Sequence, residues 1–216
     1  MASKPPRDPD PGGLFAHDRE LGTEFVAGAD EAGRGCLAGP IVAAAVVFGR
    51  RCLDDRGSGM LIGINDSKKM TARARERLYP HVLACATRVA VVVRSARYID
   101  ANGLHASNVE CLSLALERVG EPGGSIVRLA DGFRLEHCRV EHRKLVNGDS
   151  TSAAVAAASV VAKVTRDRCM VRAGDRYPGY GFERHKGYAS PAHRQALTEL
   201  GASGIHRLSF NSAAYS

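Results

Sequence analysis

The sequence has no tryptophan, and aromatic residues make up only 6% of it. Cys36, Cys52, Cys85, Cys111, Cys138 and Cys169 include no C-x-x-C pair, which argues against a zinc knuckle or a dithiol redox motif. Several of these cysteines sit in apolar runs, the usual setting of free thiols in a reducing compartment. Long hydrophobic runs are also missing. The longest, near Ile41–Phe48 and Ala153–Ala162, fall well short of the roughly 20 residues that span a bilayer. The segment Met1 to Arg19 is rich in Pro, Asp, Gly and Lys and lacks the apolar centre of a signal peptide. These absences lead us to expect a cytoplasmic protein with no membrane partner.

What is present is an ordinary globular balance, 44% hydrophobic and 25% charged over 216 residues, enough for one domain with a proper core. The net charge of +7 favours an anionic partner, nucleic acid before acidic lipid. Charge alone is weak evidence, because many proteins are this basic for solubility only.

Residues 1–21 read as a flexible tail, leaving 22–216 as the folded domain. Apolar runs predict strands at Glu24–Ala29, Ile41–Phe48, Val89–Val93 and Ile126–Ala130, with a short one near Arg139–Val146. Residues 51–63 read as a loop. Helical spacing predicts Thr71 to Ala86 with Thr71 as N-cap, then His105–Val119, an Ala/Val-rich helix over Thr151–Arg172, and Pro191 to Leu200. Strands early and helices later imply an α/β fold with a mixed sheet.

Four carboxylates stand out by position. Asp30 and Glu31 end the first strand, Asp131 ends another, and Asp149 precedes the long helix. Strand ends and helix starts are where α/β folds place function. Phosphodiester hydrolysis supplies a reason to gather them, since two divalent ions roughly 3.5–4 Å apart can activate water and stabilise the leaving oxygen. Hard ions such as Mg²⁺ and Mn²⁺ prefer oxygen ligands. Taken singly, each carboxylate has an ordinary alternative: a solvated Asp-Glu turn, an Asp-Gly turn at Asp131-Gly132, and an N-cap at Asp149. Successive strand residues also face opposite ways. Asp30 and Glu31 therefore share a site only if the strand ends or bends, which Gly33 and Gly35 would permit.

Candidate contacts to a nucleic acid are similarly open. Gly33-Arg34-Gly35 would let a backbone approach a sugar-phosphate, Lys68 and Lys69 would hold phosphates, and Lys163 and Arg166 share one side of the long helix. A surface turn, a solvated lysine pair and complementation of the helix dipole are the alternatives. His185-Lys186-Gly187-Tyr188 sets cations beside an aromatic ring, a combination suited to nucleic acid. A tyrosine packed beneath a loop fits that segment equally well.

Together the segments are more specific than any one alone. Gly28 through Gly35 (GADEAGRG), then Leu37-Ala38-Gly39-Pro40, resembles the opening signature of bacterial ribonuclease HII. So do Asn65-Asp66-Ser67-Lys68-Lys69, Asp131-Gly132, Gly148-Asp149 and the run from Ala156 to Arg168. Tyr180-Gly181-Phe182, His185 to Tyr188, and His206-Arg207-Leu208-Ser209-Phe210 complete the pattern in the same order. Two positions depart from it: Cys36 stands where Pro usually follows Gly-Arg-Gly, and Asn147 where Lys commonly precedes Gly-Asp.

This resemblance implies a ribonuclease H-like fold, a central mixed β-sheet flanked by helices with a small helical C-terminal part. It implies Asp30, Glu31, Asp131 and Asp149 as catalytic metal ligands for Mn²⁺ or Mg²⁺. It also implies that Gly33, Arg34, Gly35 and Tyr188 read the 2′-hydroxyl, the group that separates RNA from DNA at a site. The expected activity is an endonuclease that cuts the RNA strand of RNA/DNA hybrids. It is also expected to cut 5′ to single ribonucleotides in duplex DNA, leaving 5′-phosphate and 3′-hydroxyl ends. The expected state is a monomer on that duplex. A non-catalytic hybrid binder would need a lost carboxylate. The sister ribonuclease HIII usually carries a sizeable N-terminal domain, for which the residues before the first strand leave little room.

Overall fold

The protein is described by a computed structural model over residues 13–54 and 59–210. Its core is a five-stranded mixed sheet in the order β3-β2-β1-β4-β5. The strands are β1 (Phe25–Ala32), β2 (Ile41–Gly49), β3 (Arg88–Arg94), β4 (Ile126–Asp131) and β5 (Arg143–Leu145). β1 runs antiparallel to β2 and parallel to β4. The helices used below are α1 (Leu14–Glu20), α2 (Arg50–Leu53), α3 (Ala72–Cys85), α4 (Ala96–Asn102), α5 (Leu104–Arg118), α6 (Ala153–Arg176), α7 (Phe182–His185) and α8 (Pro191–Leu200).

Both faces of the sheet are covered. Val26, Val42, Val46 and Phe48 point to one side, where they meet Ala153 through Ala162 of α6 together with α1 and α3. Ala27, Ala29, Ile41 and Val47 point to the other, against Cys111, Leu112 and Leu116 of α5. Double coverage explains why β2 is a continuous apolar run rather than an alternating one. The alanine-rich start of α6 lets the helix lie very close to β1. A Cβ on Gly28 would stand 2.2 Å from the Ala154 carbonyl carbon, so only glycine fits there. A third cluster packs the C-terminal part onto the second half of α6 through Ala38, Met170, Tyr180, Phe182 and Ala196.

The structure corrects three expectations. Within the supposed tail, Leu14–Glu20 is a helix whose Leu14 and Phe15 are buried in the core; residues 1–12 lie outside the described residues. The expected helix from His105 is present as α5, and Gly103 at φ +81° separates it from α4, which local pattern does not announce. Residues 51–53 are helical where a loop is expected, as are 59 and 60, and 55–58 of that loop lie outside the described residues. The strand carrying Asp30 and Glu31 neither ends nor bends between them, since Asp30 pairs with Ala44 and Glu31 with Ala43 in unbroken register.

Candidate metal centre and nucleic-acid interface

Parallel pairing of β1 with β4 ends at Ala29–Ala130, so Asp30 and Asp131 are the next residues on adjacent strands. Asp149 reaches them from the 3₁₀ turn Gly148–Ser150, just before α6. One carboxylate oxygen from each of Asp30, Asp131 and Asp149 lies within 4.8 Å of the other two. Glu31 is outside that group. Its side chain emerges on the α5 face while Asp30 faces α6, so the carboxylates straddle the end of the sheet. The expected gathering of the four is thus observed for three, and strand alternation is the physical reason for the fourth position.

Local bonds fix these side chains. Asp131 Oδ1 accepts from the Gly148 N–H at 2.7 Å, tying β4 to the turn that carries Asp149. Asp30 Oδ1 accepts from the Glu31 N–H at 2.7 Å. Ser159 of α6 stands beside Asp30 and favours its ionised form, and its hydroxyl oxygen lies 2.7 Å from Ser67 Oγ. Asn108 of α5 stands beside Glu31 and favours its ionised form, yet Glu31 Oε2 and both polar atoms of Asn108 are buried without a well-formed hydrogen bond.

Burial is the largest cause of the raised carboxyl pKa values. Asp30 is pushed well above the usual range by burial and then by Glu31 and Asp131. Glu31 is pushed up to about 7 by burial, against the pull of Arg34. Asp149 is pushed up to about 6 by burial and by Asp66 and Asp131. Asp131 is raised by burial, offset by the Gly148 bond and Lys68. An all-oxygen donor set that resists ionisation on its own, with an orphaned glutamate oxygen at its margin, fits a hard divalent cation.

Cations surround this centre. Lys68 Nζ lies 3.8 Å from Asp149, and Lys69 Nζ lies 3.9 Å from Asp66 and 3.2 Å from Ser150 Oγ. Arg34 Nη1 is 3.9 Å from Glu31, and its guanidinium sits 4.8 Å over the Phe133 ring. Lys163 is largely covered, bonded to Asp167 at 2.7 Å and 5.1 Å from the centre of the Tyr188 ring. Tyr188 itself is 43% exposed.

Arg166 does not face a duplex as its helical position suggests. It is fully buried, and its three guanidinium nitrogens donate to Pro40 O (2.9 Å), Lys186 O (2.9 Å) and Ala38 O (3.0 Å). Arg207, also buried, donates to Gly39 O and Arg34 O. These two arginines clamp the Gly33–Gly35 loop to the loop of Tyr188. The fit is close, for a Cβ on Gly33, at φ +101°, would meet Arg166 Nε at 2.1 Å.

Asp66 is a fifth carboxylate at the site and is absent from the expected ligands, although its motif is recognisable. It raises the pKa of Asp149 and accepts from the Lys68 N–H at 2.8 Å. Ser159 falls inside the recognised run from Ala156 to Arg168, whereas nothing in the sequence pattern marks Asn108.

The ribonuclease HII family profile matches residues 27–213. The chain is 46% identical over 204 residues to the ribonuclease HII of Salinispora tropica, covering 92% of this chain and 72% of that one. It is 45% identical over 190 residues to that of Mycobacteroides abscessus, covering 88% and 78%. Among solved structures, the ribonuclease HII of the PCNA complex from Archaeoglobus fulgidus superposes with a TM-score of 0.73 at 26% identity, over 87% of this chain and 96% of that one. The Bst-RNase HIII complex with Mn²⁺, 22% identical with a TM-score of 0.67, shares the fold over 100% of this chain and 75% of its own. The matched span opens within β1, before Asp30, and runs past Arg207, so the chain belongs to the ribonuclease HII family of metal-dependent endonucleases.

Proposed function

We propose that the protein hydrolyses the RNA strand of RNA/DNA hybrids and cuts 5′ to single ribonucleotides in duplex DNA, using Mn²⁺ or Mg²⁺. The observation that carries this reading is the convergence of Asp30, Asp131 and Asp149 within 4.8 Å at the end of the sheet. Asp30, Glu31, Asp131 and Asp149 would hold the cations, whose Lewis acidity neutralises phosphate charge and acidifies water. The chain's own part is positioning. Lys68, Lys69 and Arg34 hold phosphates, contacts that give affinity without sequence preference. The Gly33–Gly35 backbone and Tyr188 meet the ribose 2′-hydroxyl, and the clamp of Arg166 and Arg207 keeps those two loops in register. Lys163 braces the Tyr188 ring. Water oxygen bonds to phosphorus, the P–O3′ bond breaks, and the 3′ oxygen takes up a proton. The products are a 5′-phosphate and a 3′-hydroxyl. The protein acts as a monomer.

The test is a duplex with one ribonucleotide in a DNA strand, beside an all-DNA control and the Asp131→Asn variant. Asparagine keeps an oxygen for the Gly148 N–H, so the turn survives. We expect a cut 5′ to the ribonucleotide that EDTA abolishes and that falls about 10³-fold in the variant, a loss of roughly 4 kcal/mol of transition-state stabilisation. A 2′,3′-cyclic phosphate product would sink the scheme, because the 2′-hydroxyl would then be the nucleophile.

A further inference from the structure

Behind Tyr188 lies a group of histidines that the chemistry above does not use. His193 and His206 are buried, and His185 stacks on His193 with ring centres 4.3 Å apart. Phe182 meets His185 and His193 edge-on, at 82° and 84°. We propose that Ser203, His206 and His193 form a directed chain of hydrogen bonds that positions Tyr188 through its main-chain carbonyl.

The direction follows from the donors. The Ser203 N–H donates to His206 Nδ1 at 2.8 Å, so that nitrogen carries no proton. The His206 proton is therefore on Nε2, which lies 3.0 Å from His193 Nε2. His193 must accept there with a lone pair, which places its own proton on Nδ1. That Nδ1–H donates to the Tyr188 carbonyl at 2.9 Å. A second proton on His193 would set two N–H groups against each other across 3.0 Å, and a second proton on His206 would set its Nδ1–H against the Ser203 N–H across 2.8 Å. Burial agrees with the neutral form, holding His193 below its usual value and His206 down at about 4.

The anchoring is specific to the recognition loop. The Tyr188 carbonyl also accepts from the Ser190 N–H at 2.8 Å, and Ser190 caps α8 through the His193 N–H. His185 Nδ1 accepts from the Gly187 N–H at 3.2 Å, so its Nε2–H donates to Tyr180 O at 2.7 Å and holds the residue before Tyr188. At its far end the chain meets the other loop, because His206 bridges Ala38, three residues after Gly35. The Tyr188 main chain is thus held from behind while its ring stays open to a ligand. His193 and His206 are positioning residues, and their effect on cleavage rests on the reading of Tyr188 proposed above.

The first test uses the ¹⁵N-labelled full chain and two-bond ¹H–¹⁵N correlation of the histidine rings at neutral pH. The expected pattern is His206 protonated at Nε2 and His193 at Nδ1. His193 protonated at Nε2 would overturn the chain. The second test compares cutting at a single ribonucleotide with cutting of a long hybrid in His193→Leu, His193→Asn and Tyr188→Ala. His193→Leu should lower that ratio about tenfold, the scale expected from slight misplacement of a contact group. His193→Asn, whose amide N–H can still reach the Tyr188 carbonyl, should recover most of it. A folded His193→Leu with an unchanged ratio overturns the proposal if Tyr188→Ala does shift it. If Tyr188→Ala leaves the ratio unchanged, the ribose-reading role of Tyr188 falls. The ring tautomers and the Tyr188 carbonyl ¹³C shift in His193→Leu then decide the positioning chain by themselves.

Discussion

Asp18 Oδ2 accepts a hydrogen bond from the Ala154 N–H at 2.9 Å, joining two residues 136 positions apart. The helix that begins at Ala153 therefore has two caps, its own Ser152 on the Val155 N–H and a carboxylate lent by α1. Both caps act one turn from Asp149. Asp18→Ala removes a buried acceptor and a favourable charge at a helix N-terminus. We expect a loss of about 1–2 kcal/mol in denaturant unfolding, within the range known for cap removal. Full stability in the variant would show that α1 packs without capping.

The carboxylates make stability depend on pH in a defined direction. Burial raises Asp149 to about 6 and Glu31 to about 7 in the folded protein, against roughly 4 when unfolded. Between those values the native state binds more protons than the unfolded state, so stability falls as pH rises. Without metal, the melting temperature should drop from about pH 4.5 to 7 more steeply in the parent than in Asp149→Asn. Added Mn²⁺ or Mg²⁺ should reverse most of that drop, because a ligand bound only by the native state stabilises it. An Asp149→Asn profile parallel to the parent would contradict the linkage.

Lys68 and Arg166 should separate cleanly in duplex binding. Lys68 is exposed beside Asp149, whereas Arg166 is buried and spends its donors on main-chain carbonyls. Lys68→Ala should reduce the salt slope of binding by about 1. Arg166→Leu should leave that slope unchanged in the folded protein while costing about 3 kcal/mol of stability, from carbonyls left without donors. A reduced slope in Arg166→Leu would restore it as a phosphate contact.

Gly28→Ala tests the closeness of β1 and α6. The added methyl would stand 2.2 Å from both Ala154 C and Val155 N, backbone atoms that cannot swing aside. The helix must shift, and we expect a loss of about 2 kcal/mol or more together with weaker metal binding, since Asp149 moves with the start of α6. Unaltered metal titration in a folded Gly28→Ala protein would show that the turn at Gly148–Ser150 moves independently of the helix.

Much of this arrangement was legible in the chain. The strand at Ile126, the cap at Thr71 and the helix Pro191–Leu200 follow from local pattern, and local pattern is what sequence carries most directly. The three converging aspartates were legible only because their motifs occur together. What escaped depends on distant partners. Arg166 reads as a surface cation until Ala38, 128 positions away, supplies the carbonyl that buries it. The helix around Phe15 is hidden by its Pro- and Gly-rich surroundings, and only the core gives it a place. The Asp30-Glu31 dipeptide suggested a kink because one shared face was assumed, whereas the straight strand uses both.

That two-sided placement makes the centre answerable to both layers of the fold. Asp30 is buried on the α6 side of β1 and Glu31 sits on the α5 side, so neither helix alone houses the carboxylates. A disturbance that loosens either helix from the sheet reaches one of the two.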